Sequence, residues 1–155
     1  MKNLKKIGSL LFVACLLLTG CGEKKEKNIE GKLEDIMNDV YAGVEEEMPM
    51  LAQTELNDEN VEYFLGTSDI DYKEGLASEP MMSSIAHSVV LVRMNEGADI
   101  EAAKTKIKES VNPRKWICVE VSEDDVIVDS RGDMIILIMV NDYSKDFEKS
   151  FESLE

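Results

Sequence analysis

The chain is poor in the residue types that build disulfide frameworks, metal centres and nucleophilic active sites. Its 155 residues include a single histidine, His87, and three cysteines, at positions 15, 21 and 118. Zinc centres need several His or Cys ligands, which this composition does not supply. A Gly-x-Ser-x-Gly elbow is absent, so any Ser–His–Asp or Cys–His chemistry would have to use His87. We therefore predict no catalytic residue.

Positive charge is also scarce. The chain has 17 Lys and Arg residues against 32 Asp and Glu residues, a formal net charge of −15. Proteins that bind nucleic acid present a basic face to it, so this balance excludes nucleic acid as a partner. The same charge argues against a domain that lies flat on an anionic bilayer. An acidic balance by itself commonly serves solubility.

A long hydrophobic run is missing, but a short one follows a basic N-terminus. Three lysines precede residues 7–18, which are mainly apolar. That run is too short to cross a bilayer, because a transmembrane helix needs about 20 apolar residues. It ends in Leu18-Thr19-Gly20-Cys21, the pattern of a bacterial lipoprotein export signal. We predict cleavage after Gly20 and attachment of diacylglycerol to the thiol of Cys21.

The predicted anchor sets the organisation and the location of the chain. Residues 1–20 are the signal peptide, 21–28 are the lipidated Cys21 and a charged tether, and 29–155 form a single extracytoplasmic domain. Two acyl chains, such as palmitate, hold a protein on a membrane where one gives only marginal binding. We therefore expect a lipid-anchored protein on the extracytoplasmic face of the cell membrane. Only Cys118 then remains as a free thiol, so no internal disulfide can form.

Hydrophobic spacing within residues 29–155 switches between helical and strand periods. Helices are predicted over 29–44 and 57–65, from an Asp99 N-cap to residue 111, and from Asn141 or Asp142 to residue 154. Strands are predicted over 72–79, 85–94, 116–121, 126–129 and 134–140, with a turn at 130–133. The expected fold is α+β, a single-domain two-layer sandwich. It would have a mostly antiparallel sheet of about five strands with helices on one face.

The candidate binding residues combine the histidine, the tryptophan and nearby cations. They are His87, Arg93, Arg114, Lys115 and Trp116. A cation beside an aromatic ring can hold a carboxylate or a sugar. The alternative is structural: Trp116 lies in the core, the cations cap the preceding helix, and His87 satisfies a buried partner. Cys118 could pair with His87, or be a small buried thiol.

Two segments have weak similarity to metal sites. Residues 69–75 resemble a calcium loop, but Lys73 and Pro80 occupy ligand positions. The pairs Met48–Met50 and Met81–Met82 could offer thioethers to Cu(I), although methionine more often fills gaps in a core. No metal or cofactor is predicted apart from the acyl modification of Cys21.

Three strings within the domain carry a resemblance to a known family. They are SSIAHSVVLVRM (83–94), NPRKWICVEV (112–121) and VIVDSRGDMIILIM (126–139). They resemble a family of Gram-positive bacterial lipoproteins that contain a domain of unknown function. The resemblance covers most of the domain, agrees with the lipoprotein signal, and implies a membrane-anchored extracytoplasmic domain with an accessory role. It implies no catalytic residue and no cofactor.

These observations favour a non-catalytic interaction module of the cell envelope, anchored by lipid and bound to an envelope or membrane protein. The first alternative is a lipoprotein that binds a small molecule or an ion, with a cleft at the sheet edge or between helix and sheet. The second alternative is an envelope hydrolase or transferase that uses His87.

Overall fold

A computed structural model describes residues 27–155, so the signal segment and Cys21 lie outside the described residues. The described part of the chain forms an antiparallel sheet in the spatial order β1-β2-β3-β5-β4. Its strands are β1 (Leu51–Glu55), β2 (Tyr72–Pro80), β3 (His87–Met94), β4 (Val126–Arg131) and β5 (Met134–Val140). β3 and β5 form its centre, and β1 and β4 are its edges.

Four helices accompany these strands within the described residues and follow local sequence signals. They are α1 (Leu33–Ala42), α2 (Val61–Leu65), α3 (Ile100–Ser110) and α4 (Ser144–Ser153), with a short 3-10 turn at Glu123–Asp125. The side chain of Asp99 caps α3 by accepting a hydrogen bond from the Ala102 amide at 3.0 Å. Gly66 ends α2 with φ +74°, a left-handed conformation that suits glycine.

Helices cover both faces of the sheet. Val89 and Leu91 of β3 pack in one core with α1 and α4, whereas Val90 and Val92 pack in a second core with α2 and α3. The predicted two-layer arrangement with helices on one face is therefore wrong, and the domain has three layers. The reason lies in β3 and β5, whose unbroken apolar runs expose no polar face to water.

The predicted class is confirmed, since the described residues form a single α+β domain with a five-stranded antiparallel sheet. The predicted strand at 116–121 is wrong. Trp116 and Val121 are buried, but Ile117 is exposed and Cys118 has φ +61°, which interrupts an extended backbone. β1 had no prediction, because its side chains are largely exposed and show no apolar alternation.

The two ends of β3 define two ends of the domain. At the His87 end, the connections 43–50, 81–86 and 111–122 come together, as the Met81 amide donates to the Met50 carbonyl and the Ile117 amide donates to the Ser83 carbonyl. At the opposite end, which we call the Arg93 end, the described chain begins and the β4–β5 turn lies.

Candidate functional site

The exposed apolar side chains of the domain gather at the His87 end. Met50, Met81, Met82 and Ile117 are 77%, 70%, 62% and 65% exposed, and we call these four residues the methionine patch. Tyr63, 53% exposed, borders them through its contact with Glu79. Among residues 27–155, no other large hydrophobic side chain is exposed. Scattered exposed apolar residues are ordinary, whereas a cluster rimmed by polar groups marks an interaction surface.

Backbone hydrogen bonds hold the patch together. The Met81 amide donates to the Met50 carbonyl at 3.2 Å, which continues the pairing of β1 with β2. The Ile117 amide donates to the Ser83 carbonyl at 2.9 Å, which ties the 111–122 connection to the β2–β3 loop. Three segments that are distant in sequence therefore meet at this end of the domain, and each carries at least one exposed apolar side chain.

A buried ion pair joins β2 to the 111–122 connection, which carries Ile117. The ammonium Nζ of Lys115 is 2.5 Å from Oε1 of Glu79, and the two side chains are only 4% and 16% exposed. Nζ is also 3.4 Å from Oγ of Ser88, which is itself buried. Burial lowers the pKa of Lys115, while the Glu79 carboxylate acts in the opposite direction. This pair fixes the 111–122 connection against the β2–β3 corner.

Aromatic rings enclose the same ammonium group. Nζ of Lys115 lies 4.6 Å from the ring centre of Tyr63, 5.2 Å from that of Phe64 and 5.3 Å from that of Trp116. Such distances allow cation–π attraction, which strengthens when the cation is removed from water. Lys115 is thus held by protein groups on several sides. Trp116 is 8% exposed and belongs to the second core.

The surface around the patch is acidic. Residues 45–47 are three consecutive exposed glutamates, and Met50 follows them by three positions. Arg114, also at this end, is paired with Glu120, with Nε 2.7 Å from Oε2. Because Arg114 and Lys115 are both neutralised by carboxylates, the charge beside the methionine patch is predominantly negative.

His87 lies on the opposite face of the sheet from Lys115. Its Nε2 is 2.7 Å from Oη of Tyr41, and its ring packs on Tyr41 and Phe147 with centroid distances of 5.9 and 5.7 Å. Nδ1 has no hydrogen-bond partner among residues 27–155. Burial lowers the pKa of His87 to about 4, and it raises the pKa of Tyr41 above its ordinary value.

This environment keeps His87 neutral and enclosed. The imidazole is 1% exposed, and the neighbouring serines Ser78 and Ser88 are buried as well. Cys118 is exposed on the 111–122 connection, and the hydrogen-bond partner of the imidazole is Tyr41. A neutral buried imidazole could act as a base only if a substrate reached it between α1 and α4.

Arg93 is not part of this end of the domain. It lies six positions along β3 from His87, a separation of about 20 Å at strand rise. Its guanidinium forms an ion pair with Glu74 and donates to the carbonyls of Ile29 and Gly31 at 3.2 and 2.9 Å. Arg114, Lys115 and Trp116 therefore lie together at the His87 end. His87 is on the opposite face of the sheet from them, and Arg93 is at the opposite end of the domain.

The acidic segment at 69–75 is engaged with other side chains. Asp69 pairs with Lys106 at 2.6 Å, which lowers the pKa of Asp69, and Asp71 accepts from the Asn95 amide at 2.6 Å. Within residues 27–155, no three His, Cys, Asp or Glu side chains converge in a way that could hold a metal ion. Over the same residues, no helix has the length and apolarity needed to cross a membrane.

Comparison of the chain with protein-family models, with curated proteins and with solved structures found no match. The site must therefore be interpreted from its own geometry. The sequence indicates that Met48–Met50 and Met81–Met82 either fill gaps in the core or offer thioethers to a metal, and it does not connect them with Ile117. The signal that was available is the placement of Met81 and Met82 in a polar turn after Pro80, where a core position is unfavourable.

Proposed function

We propose that this chain is a membrane-anchored extracytoplasmic lipoprotein whose domain is a non-catalytic protein-interaction module of the cell envelope. The observation that carries the proposal is the methionine patch, the cluster of exposed apolar side chains at the His87 end. The lipoprotein signal ending at Cys21 supports the anchor, and the sequence resemblance to envelope lipoproteins agrees with it.

The chemistry of the patch suits binding to a protein. Methionine side chains are flexible and polarisable, so they adapt to the shape of an apolar partner surface. Covering solvated apolar side chains with a partner surface stabilises the complex by about 25 cal/mol for each Å² removed from water. The acidic rim at residues 45–47 adds electrostatic selectivity and faster association.

The test is chemical crosslinking in cells of the native host, followed by mass spectrometry of the proteins captured with the tagged chain. Three chains are compared: wild type, Met81→Ser/Met82→Ser/Ile117→Ser, and the control Glu96→Ser, whose site is exposed and lies just beyond Met94 at the Arg93 end. We expect a partner that wild type and control capture and that the patch variant loses. Capture of the same proteins by all three chains would refute the proposal.

A second candidate function is binding of Cu(I). It is favoured by the hydrogen bond from the Met81 amide to the Met50 carbonyl, which makes these two residues neighbours just beyond the paired ends of β1 and β2, with Met82 next in the chain. Thioether sulfur is a ligand type that Cu(I) prefers. The variant Met50→Leu/Met81→Leu/Met82→Leu keeps the surface apolar and removes the sulfur atoms. Copper binding would be lost in this variant, whereas capture of a protein partner would persist.

A further inference from the structure

Building on the proposed function, we infer that the methionine patch faces away from the membrane and binds an apolar segment rich in lysine or arginine on another extracytoplasmic protein. The inference has two parts, an orientation and a partner chemistry. The first follows from where the N-terminal segment is fixed on the domain. The second follows from the charges that surround the patch.

The N-terminal segment is fixed at the Arg93 end. Oδ1 of Asn28 accepts a hydrogen bond from the Asp133 amide at 3.1 Å, in the turn between β4 and β5. The Arg93 guanidinium donates to the carbonyls of Ile29 and Gly31, and the Ile29 side chain is 4% exposed within the first core. The chain therefore leaves the domain toward its N-terminus at the end opposite the methionine patch.

The distances favour an outward-facing patch. β3 has eight residues from His87 to Met94, so the two ends of the sheet are about 23 Å apart. The eight residues from Cys21 to Asn28 are joined by seven steps, which span at most about 25 Å when fully extended. The patch could reach the lipid surface only if nearly the whole tether ran back along the domain. An anchored domain thus presents the patch to the aqueous space on the side away from the lipid surface.

The charges favour a cationic partner. The exposed glutamates 45–47 precede Met50 by three to five positions, and the cations Arg114 and Lys115 are already paired with Glu120 and Glu79. An anionic lipid surface would be repelled by this arrangement. A second copy of the chain would bring the same glutamates and a net charge of −15, so self-association through this surface is also opposed. A segment with apolar residues and flanking lysines or arginines matches both the apolar side chains of the patch and the negative charge of the glutamates.

The partner chemistry can be tested with synthetic peptides. The chain from Cys21 onward, which contains the whole described domain, is titrated into a fluorescent amphipathic peptide of leucine and lysine. The matched peptide of leucine and glutamate is the control. We expect binding of the lysine peptide, weakened by added salt, and none of the glutamate peptide. Equal binding of both peptides, or of neither, would overturn the assigned chemistry.

Three variants locate the binding surface. Met81→Ser/Met82→Ser/Ile117→Ser should weaken binding about tenfold or more, since it removes three exposed apolar side chains from the contact. Neutralising residues 45–47 to glutamine should weaken binding and reduce its salt dependence. The control Glu96→Ser, at the Arg93 end, should bind as wild type does. Unchanged affinity in the first variant would show that the peptide binds elsewhere and would refute the inference.

Orientation is measured on the lipidated protein in vesicles that carry an energy acceptor on their headgroups. A donor dye is attached at Met82→Cys or at Glu96→Cys, in a chain where the exposed Cys118 is replaced by glycine. We expect stronger transfer from position 96, at the Arg93 end, than from position 82. Stronger transfer from position 82 would mean that the patch contacts lipid, and would overturn the inference.

The tests separate this inference from the proposed function. A partner captured in cells only when the patch is intact, combined with no binding of the lysine peptide, would refute the partner chemistry and leave the interaction module standing. If the chain carries no lipid, the proposed anchor is wrong and the proposed orientation falls with it. Vesicle binding by the unlipidated chain, or dimers in sedimentation that the patch variant abolishes, would assign the surface to lipid or to a second copy.

Discussion

His87 links the pH of the surroundings to the stability of the domain. Burial lowers its pKa to about 4 from an ordinary value of 6.5. Between these two pH values, His87 is protonated in the unfolded chain but stays neutral in the folded domain. The free energy of unfolding should therefore fall as the pH drops from about 6.5 to 4, by about 3 kcal/mol from this group. Above pH 6.5 the contribution is constant.

The measurement is urea unfolding at a series of pH values for wild type and His87→Gln. The numerous carboxylates also titrate over part of this range, so only the difference between the two chains reports His87. We expect wild type to lose more stability than the variant on acidification from pH 6.5. Parallel pH profiles for the two chains would show that His87 titrates normally and is more hydrated than its 1% exposure indicates.

The ion pair of Lys115 with Glu79 predicts a non-additive pair of substitutions. Lys115→Met alone leaves the Glu79 carboxylate, 16% exposed, without its counter-charge and should cost about 3 kcal/mol or more. Adding Glu79→Leu removes the uncompensated charge and should restore much of that loss, because an apolar pair can replace a buried ion pair. Equal or greater destabilisation in the double variant, measured by urea unfolding, would contradict this account.

At the scale of elements, α3 depends on its N-terminal cap. Asp99 accepts the Ala102 amide at 3.0 Å, and without it the first turn of α3 loses a hydrogen-bond partner. Asp99→Ala should lower the free energy of unfolding by about 1 kcal/mol. Glu109→Ala, an exposed change near the opposite end of α3, is the control and should stay within about 0.5 kcal/mol. Equal effects of the two substitutions would argue against the cap.

The central elements could be predicted from sequence because burial dictates their composition. β5 is apolar at every position and was predicted with its observed bounds, Met134–Val140. β1 could not be predicted, since this edge strand is held mainly by backbone pairing with β2 and its exposed side chains carry no pattern. Because β5 is apolar at every position, both of its faces must be covered, and this pattern already indicated helices on both faces of the sheet.

The candidate site was less accessible to sequence reasoning. His87 and Arg93 are close in sequence, but a strand carries them to opposite ends of the domain. The methionine patch depends on hydrogen bonds between Met50 and Met81 and between Ile117 and Ser83, across segments far apart in the chain. Such tertiary proximity leaves no trace in local periodicity, which reports only the face of a single element.

At the scale of the whole molecule, the domain separates the end that holds its N-terminal segment from the end that carries the methionine patch. The N-terminal segment is held by Arg93 and by the β4–β5 turn, and the methionine patch lies at the far end of the central strands. The outward orientation that we propose for the patch depends on the proposed lipid anchor at Cys21.

Metabolic labelling with a radioactive fatty acid tests that anchor. We expect wild type to incorporate label and Cys21→Ala to incorporate none, because the thioether and its acyl chains need the Cys21 thiol. Cys118→Gly is the matched control, as it removes the exposed thiol of the domain and suits the positive φ of +61° at that position. The control should be labelled as wild type is. Label that persists in Cys21→Ala, or disappears in Cys118→Gly, would show that the acyl group is attached at a residue other than Cys21. We would then no longer infer that the methionine patch faces away from the membrane.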